Sequence, residues 1–321
     1  MLTSIIYITE DKELKELYLK YYRTPICLDK KYLGIYDCSD YIPSKTEYIE
    51  FYIENYDLSL LPKGLLYLET KKVFKSMLNN LPNNLECLKL GYGTDKPLNI
   101  LPKSIKYLEL LKNEEHDLTD LPEELIILKI GYYNGRIDKL PKSLKYLEIK
   151  NKFNRSIELL NNNITHLYLG DDFNQDIHHL PNNLKYLKFG KNFNKKIYNY
   201  PEGLKNIEFG ENYNQEFIGT LPNTLLSITF GKNFNKSINT LPNFIKFINI
   251  GFKMLECENT FSNLLLVDDK IIKHEKGYYL FIGSNYVERI DKLPISLEKI
   301  MISKNYPYIN MLPKEKIIFS I

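Results

Sequence analysis

A Leu-Pro dipeptide that returns about every 20 residues constrains this chain more than any other feature. It stands at Leu61-Pro62, Leu81-Pro82, Leu101-Pro102, Leu121-Pro122, Leu140-Pro141, Leu180-Pro181, Leu221-Pro222 and Leu241-Pro242, with Tyr200-Pro201 as a variant. Ile42-Pro43 opens the series, Leu160-Asn161 fills its missing slot, and Leu293-Pro294 and Leu312-Pro313 close it. A period this short denotes stacked coils, because one such unit has too little interior to bury its own apolar face.

The stretch from Leu180 to Ile197 shows the job of each position. Leu187 and Phe189 are two apart, so on an extended segment they share a face, while Tyr186 and Lys188 share the other. Pro181 suits the corner before that strand, since it lacks an N–H and fixes its φ. Gly190 follows the strand where the chain must turn. Asn192, Asn212 and Asn233 recur two residues later as a ladder, satisfying backbone groups of their own and neighbouring turns. These readings predict a β-rich, right-handed, leucine-rich-repeat-like solenoid with one short strand per coil and one parallel sheet.

The unit Leu-Pro-x-x-Leu-x-x-Leu-x-Phe-Gly-x-x-Phe-Asn-x-x-Ile resembles the FNIP repeat, a leucine-rich-repeat variant of social amoebae and of giant viruses that infect amoebae. Phe153-Asn154, Phe173-Asn174, Phe193-Asn194, Tyr213-Asn214 and Phe234-Asn235 carry the signature, with Ile157, Ile177, Ile197, Ile218 and Ile238 behind them. Phe153, Phe173, Phe193 and Phe234 are therefore read as a structural column. Some members of the family carry an amino-terminal F-box, which implies, as an alternative function, a ubiquitin-ligase substrate adaptor with ligase subunits as partners. The short run before Ile42-Pro43 lacks the F-box pattern.

Three segments follow. Residues 1–41 are an amino-terminal cap with a helix over about 9–22, where Leu14, Leu17, Tyr18 and Tyr21 fall at helical spacing. Residues 42–253 are regular repeats. Residues 254–321 hold degenerate repeats and an insertion of roughly 12 residues, read as a loop or short helix, because Leu241 to Leu293 spans more than two coils need.

With 43 basic and 40 acidic residues and a net charge of +3, no overall field draws the chain to nucleic acid or to a membrane. Signal-peptide and membrane-spanning patterns are absent from the sequence, and Cys27, Cys38, Cys87 and Cys257 are widely spaced. The expectation is a cytoplasmic protein, in the host's cytoplasm if the gene is viral. His116, His166, His178, His179 and His274 show no metal-ligand spacing, so neither a metal, a cofactor nor a catalytic residue is predicted. An enzyme or carbohydrate-binding module would need a pocket at residues 254–276.

The strand faces carry the functional reading. One row runs Tyr67, Cys87, Tyr107, Ile127, Tyr146, His166, Tyr186, Asn206, and the next runs Glu69, Lys89, Glu109, Lys129, Glu148, Tyr168, Lys188, Glu208. Tyrosine offers wide, rigid contact area with a polar tip. The expectation is therefore docking of another protein, of unidentified kind, on Tyr107, Tyr146, Tyr168 and Tyr186, with Glu148 and Lys188 as flanking polar contacts.

Overall fold

The computed structural model describes residues 12–14, 16–17, 32–92, 97–112, 118–218, 220–251, 253–254, 264–267, 270–273, 279–303 and 305–320. They divide into two compact units, one of residues 10–166 and one whose body is residues 167–321.

The first unit holds strands β1 (Tyr32–Ile35), β2 (Tyr48–Phe51), β3 (Tyr67–Thr70), β4 (Cys87–Leu90), β5 (Tyr107–Lys112), β6 (Ile127–Tyr132) and β7 (Tyr146–Asn151). They lie side by side in chain order, all parallel, and the register pairs Tyr67 with Cys87, Tyr107, Ile127 and Tyr146 in turn. Strand β8 (His166–Leu169) begins at the boundary. The second unit continues with β9 (Tyr186–Phe189), β10 (Asn206–Glu208), β11 (Ser227–Phe230), β12 (Phe247–Ile250), β16 (Tyr279–Ile282), β17 (Lys299–Ile302) and β18 (Ile317–Ser320), again in parallel. Each unit is thus a solenoid of short coils with one strand apiece.

The same corner leads into each strand. The carbonyl of Pro181 accepts from Leu184 N at 3.0 Å, Pro201 from Leu204 at 3.0 Å and Pro222 from Leu225 at 3.0 Å. Proline at the head of this turn gives up no ladder hydrogen bond, and the leucine three residues on drops into the core.

The glycines after the strands answer to crowding rather than to turning. A Cβ on Gly210 would lie 1.8 Å from the carbonyl oxygen of Gly190, so the coils meet there backbone to backbone. Gly251, with φ +80°, is the one described glycine whose conformation itself calls for glycine.

Behind the sheet of the second unit runs an aromatic column. Phe173, Phe193, Tyr213, Phe234, Tyr286 and Tyr306 follow one another at centroid spacings of 5.8, 6.0, 6.2, 6.3 and 6.1 Å. Phe153 is likewise buried in the first unit. In the coil of Tyr213, it is Phe217 that packs on Phe209, Phe230 and Phe234, in the place where the sequence pattern set Ile218.

Asparagine forms two ladders. Asn212 Nδ2 donates to Asn192 Oδ1 at 3.1 Å and Asn233 Nδ2 to Asn212 Oδ1 at 3.1 Å, side chain to side chain. The backbone is served by the asparagine of the Phe-Asn pair. Asn194 N donates to Asn174 Oδ1, Asn214 N to Asn194 Oδ1 and Asn235 N to Asn214 Oδ1, each at 2.9 Å.

The insertion follows β12. Phe247 pairs with Tyr279, 32 positions on, and between them β13 (Lys253–Met254), β14 (Leu264–Val267) and β15 (Lys270–Lys273) form a separate antiparallel sheet. A loop or short helix was expected there. The β-branched Val267, Ile271 and Ile272 favour strand there, and the register pairs Val267 with Lys270 and Leu266 with Ile271. Of the helix expected over 9–22, residues 12–14 and 16–17 are helical, with Leu14 and Leu17 buried; the others lie outside the described residues.

Candidate protein-binding face

The register that stacks Tyr67, Tyr107 and Tyr146 two coils apart also sets Lys89 and Lys129 between them. Cys87 and Ile127 share their strands with these lysines and are smaller than tyrosine, which leaves room for the alkyl stems. Lys89 Nζ lies 5.2 Å from the Tyr67 ring centroid and 5.4 Å from that of Tyr107. Lys129 Nζ lies 5.8 Å from Tyr107 and 5.4 Å from Tyr146. Each ammonium is therefore sandwiched between two aromatic rings.

Carboxylates complete the arrangement. The hydroxyls of Tyr107 and Tyr146 donate to Glu109 and Glu148 at 3.0 Å each, and Tyr67 donates to Glu69. Lys129 Nζ is 3.7 Å from Glu148 Oε2. Burial lowers the pKa of Lys129, while Glu148 and Glu109 work against that shift. Burial, with Glu69 beside it, raises the pKa of Tyr67.

This network places the predicted contact residues differently from the expectation. Tyr107, Tyr146 and Tyr186 are 0%, 1% and 5% exposed, so their rings are part of the packing and offer a partner no surface. For Tyr107 and Tyr146 the lysines lying over the rings account for this, together with the 4.8 Å approach of neighbouring strands. Of the other predicted residues, Glu148 and Tyr168 are half-buried and Lys188 is 37% exposed at its side chain. Lys188 Nζ is 3.0 Å from Glu208 Oε2. On the second unit's face the row that began with tyrosine continues through Asn206 and Ser227, both small, before Phe247.

The amino-terminal helix bears on the first unit, where Glu13 accepts from Lys145 Nζ at 2.9 Å. Lys145 immediately precedes β7, and no residue pattern signals a contact at this separation. His178 and His179 are exposed, and among the described residues no cluster of three His, Cys, Asp or Glu side chains could hold a metal. No described helix is long and apolar enough to cross a membrane.

The FNIP Repeat family model matches residues 75–113, 176–200, 199–233 and 213–253. Among solved structures, CroV588, described as a novel circular LRR protein, aligns over 87% of this chain at 28% identity and a TM-score of 0.60. The chain spans 50% of that protein's length. YopM from Yersinia enterocolitica covers 68% of this chain and 57% of its own at 16% identity, with a TM-score of 0.36, too loose to carry an argument. None of the curated proteins compared with the chain matches it. The Phe-Asn column, the Pro-headed corners, the family-model match and the CroV588 alignment agree: residues 75–113 and 176–253 carry FNIP repeats, on a leucine-rich-repeat-like solenoid.

Proposed function

We propose that the chain is a non-enzymatic scaffold that docks another protein on the strand face of the 167–321 unit, with Tyr168 and Lys188 as its principal contacts. Leucine-rich-repeat solenoids are typical interaction scaffolds, since their strands present an extended, preformed surface. The observation that carries the choice of site is the exposure of Lys188, oriented by Glu208, in the row next to the one that runs from Tyr186 through the small side chains of Asn206 and Ser227. The tyrosine–lysine stack of the other unit is closed by comparison, and there Glu148 remains as a polar contact on its own face. The buried tyrosines act as supports that hold the charged row in place.

Affinity capture from the source cells tests this. A partner retained by wild type and by Lys139→Glu, but lost from folded Tyr168→Ala and Lys188→Glu variants, supports the reading; a partner captured equally by all four refutes the site. The ligase-adaptor reading is tested separately by deleting residues 1–40, which would then remove ligase subunits alone.

A further inference from the structure

Arginine occurs at four positions, Arg23, Arg136, Arg155 and Arg289, and two of these line one cleft of about 250 Å³ on the turn side of the 10–166 unit. Ile137 and Leu160, both buried, form its base, and Leu159, 72% exposed, gives it an apolar lip.

The opening exists because one coil carries a glycine, Gly135, at the position where the next carries Arg155. Tyr133 turns its hydroxyl onto the carbonyl of Arg136 at 2.7 Å, and a Cβ on Gly135 would meet that ring at 2.4 Å. The position that carries Arg155 in the following coil is therefore bare in this one. Arg155 uses the vacancy: its Nε donates to Asn134 O at 2.5 Å, which fixes the guanidinium plane, and its terminal nitrogens have no partner among the described residues. Ser156 Oγ accepts from Glu158 N at 3.2 Å, so its proton is left for another acceptor. Arg136 is engaged otherwise, gripping Asp138 through Nε at 3.1 Å and Nη2 at 2.7 Å.

We propose that this cleft recognises an acidic side chain of a partner polypeptide, a carboxylate or a phosphorylated hydroxyl, held by the Arg155 fork and the Ser156 hydroxyl with a neighbouring apolar residue against Leu159. A planar guanidinium with two unused donors matches an oxyanion bidentately. The apolar lip favours an acidic peptide over a free inorganic anion. Being on the turn side, the cleft is independent of docking on the strand face, and each can fail without the other.

The test uses the full chain and three matched fluorescent peptides in which phosphoserine, Asp or Ser precedes Leu, followed by anisotropy. The acidic peptides bind and the Ser peptide does not, and the tighter of the two acids names the source of the oxyanion. Arg155→Gln weakens binding about tenfold, Arg155→Lys keeps the charge but loses the fork and falls between, and Asp138→Asn, which takes a negative charge out of the cleft lining, strengthens it about fivefold. Arg289→Gln changes nothing, although Arg289-Ile-Asp291 repeats the Arg136-Ile-Asp138 sequence. The circular dichroism of each variant must match wild type. Equal binding of the Ser peptide, an Arg155→Gln or Arg155→Lys variant that binds like wild type, an equal loss in Arg289→Gln, or no binding to either wild type or Asp138→Asn overturns the proposal.

Discussion

Lys129 is 5% exposed and lies between two rings and two carboxylates, so its replacements separate packing from electrostatics. Lys129→Met retains the stem and removes the charge that burial penalises, and should change stability by under about 1 kcal/mol. Lys129→Glu sets three carboxylates in one row, with Glu109 and Glu148, and should cost about 3 kcal/mol or more. Urea midpoints of the two variants measure the difference. The sequence showed which residues share this face, because the alternation of tyrosine with smaller residues and of glutamate with lysine survives the register unchanged. Burial was not legible. Period and spacing say where a side chain points, not that a lysine two residues away will fold its stem across the neighbouring ring.

At the level of the coil, stability rests on contacts repeated between equivalent positions. Gly210→Ala pushes a methyl into the Gly190 carbonyl and should cost about 3 kcal/mol, seen as a lower thermal midpoint. Asn214→Ala leaves the Asn235 N–H without its acceptor, an expected loss of about 1–2 kcal/mol by the same measurement. Corners, strands and the aromatic column were readable from Leu-Pro, Leu-x-Phe and Phe-Asn because each is a local pattern with one geometric solution. Departures from the period were not. The glycine pattern suggested tight turns, but the crowding comes from the adjacent coil, 20 residues away. The cleft at Arg155 arises the same way, from Tyr133 and Gly135 in the coil before it. In the Tyr213 coil either Phe217 or Ile218 could face inward, and the larger aromatic packs into the column.

For the molecule as a whole, buried phenols set the response to alkali. Burial raises the pKa of Tyr67, Tyr200, Tyr213 and Tyr286 and pushes Tyr306 up to about 12. A phenol whose folded pKa lies above its unfolded value near 10 stabilises the fold fully below pH 10, and that stability is lost as pH rises from there through the folded pKa. Lys129 has the opposite sign: its lowered folded pKa means that its penalty is relieved as pH approaches the ordinary lysine value. Five phenols outweigh one lysine, so unfolding should begin above about pH 10 and proceed with the cooperative appearance of tyrosinate absorbance; stepwise ionisation with unchanged circular dichroism would contradict this.

The asparagine ladder carries a further consequence. Each Asn oxygen of the Phe-Asn pair serves the coil after it, and each coil presents the next with the socket it received, so a whole period can be copied or dropped without any other coil changing partners. Chain length thus becomes a trait that inheritance can adjust by duplication, independently of the point substitutions that shape the surface of any one coil.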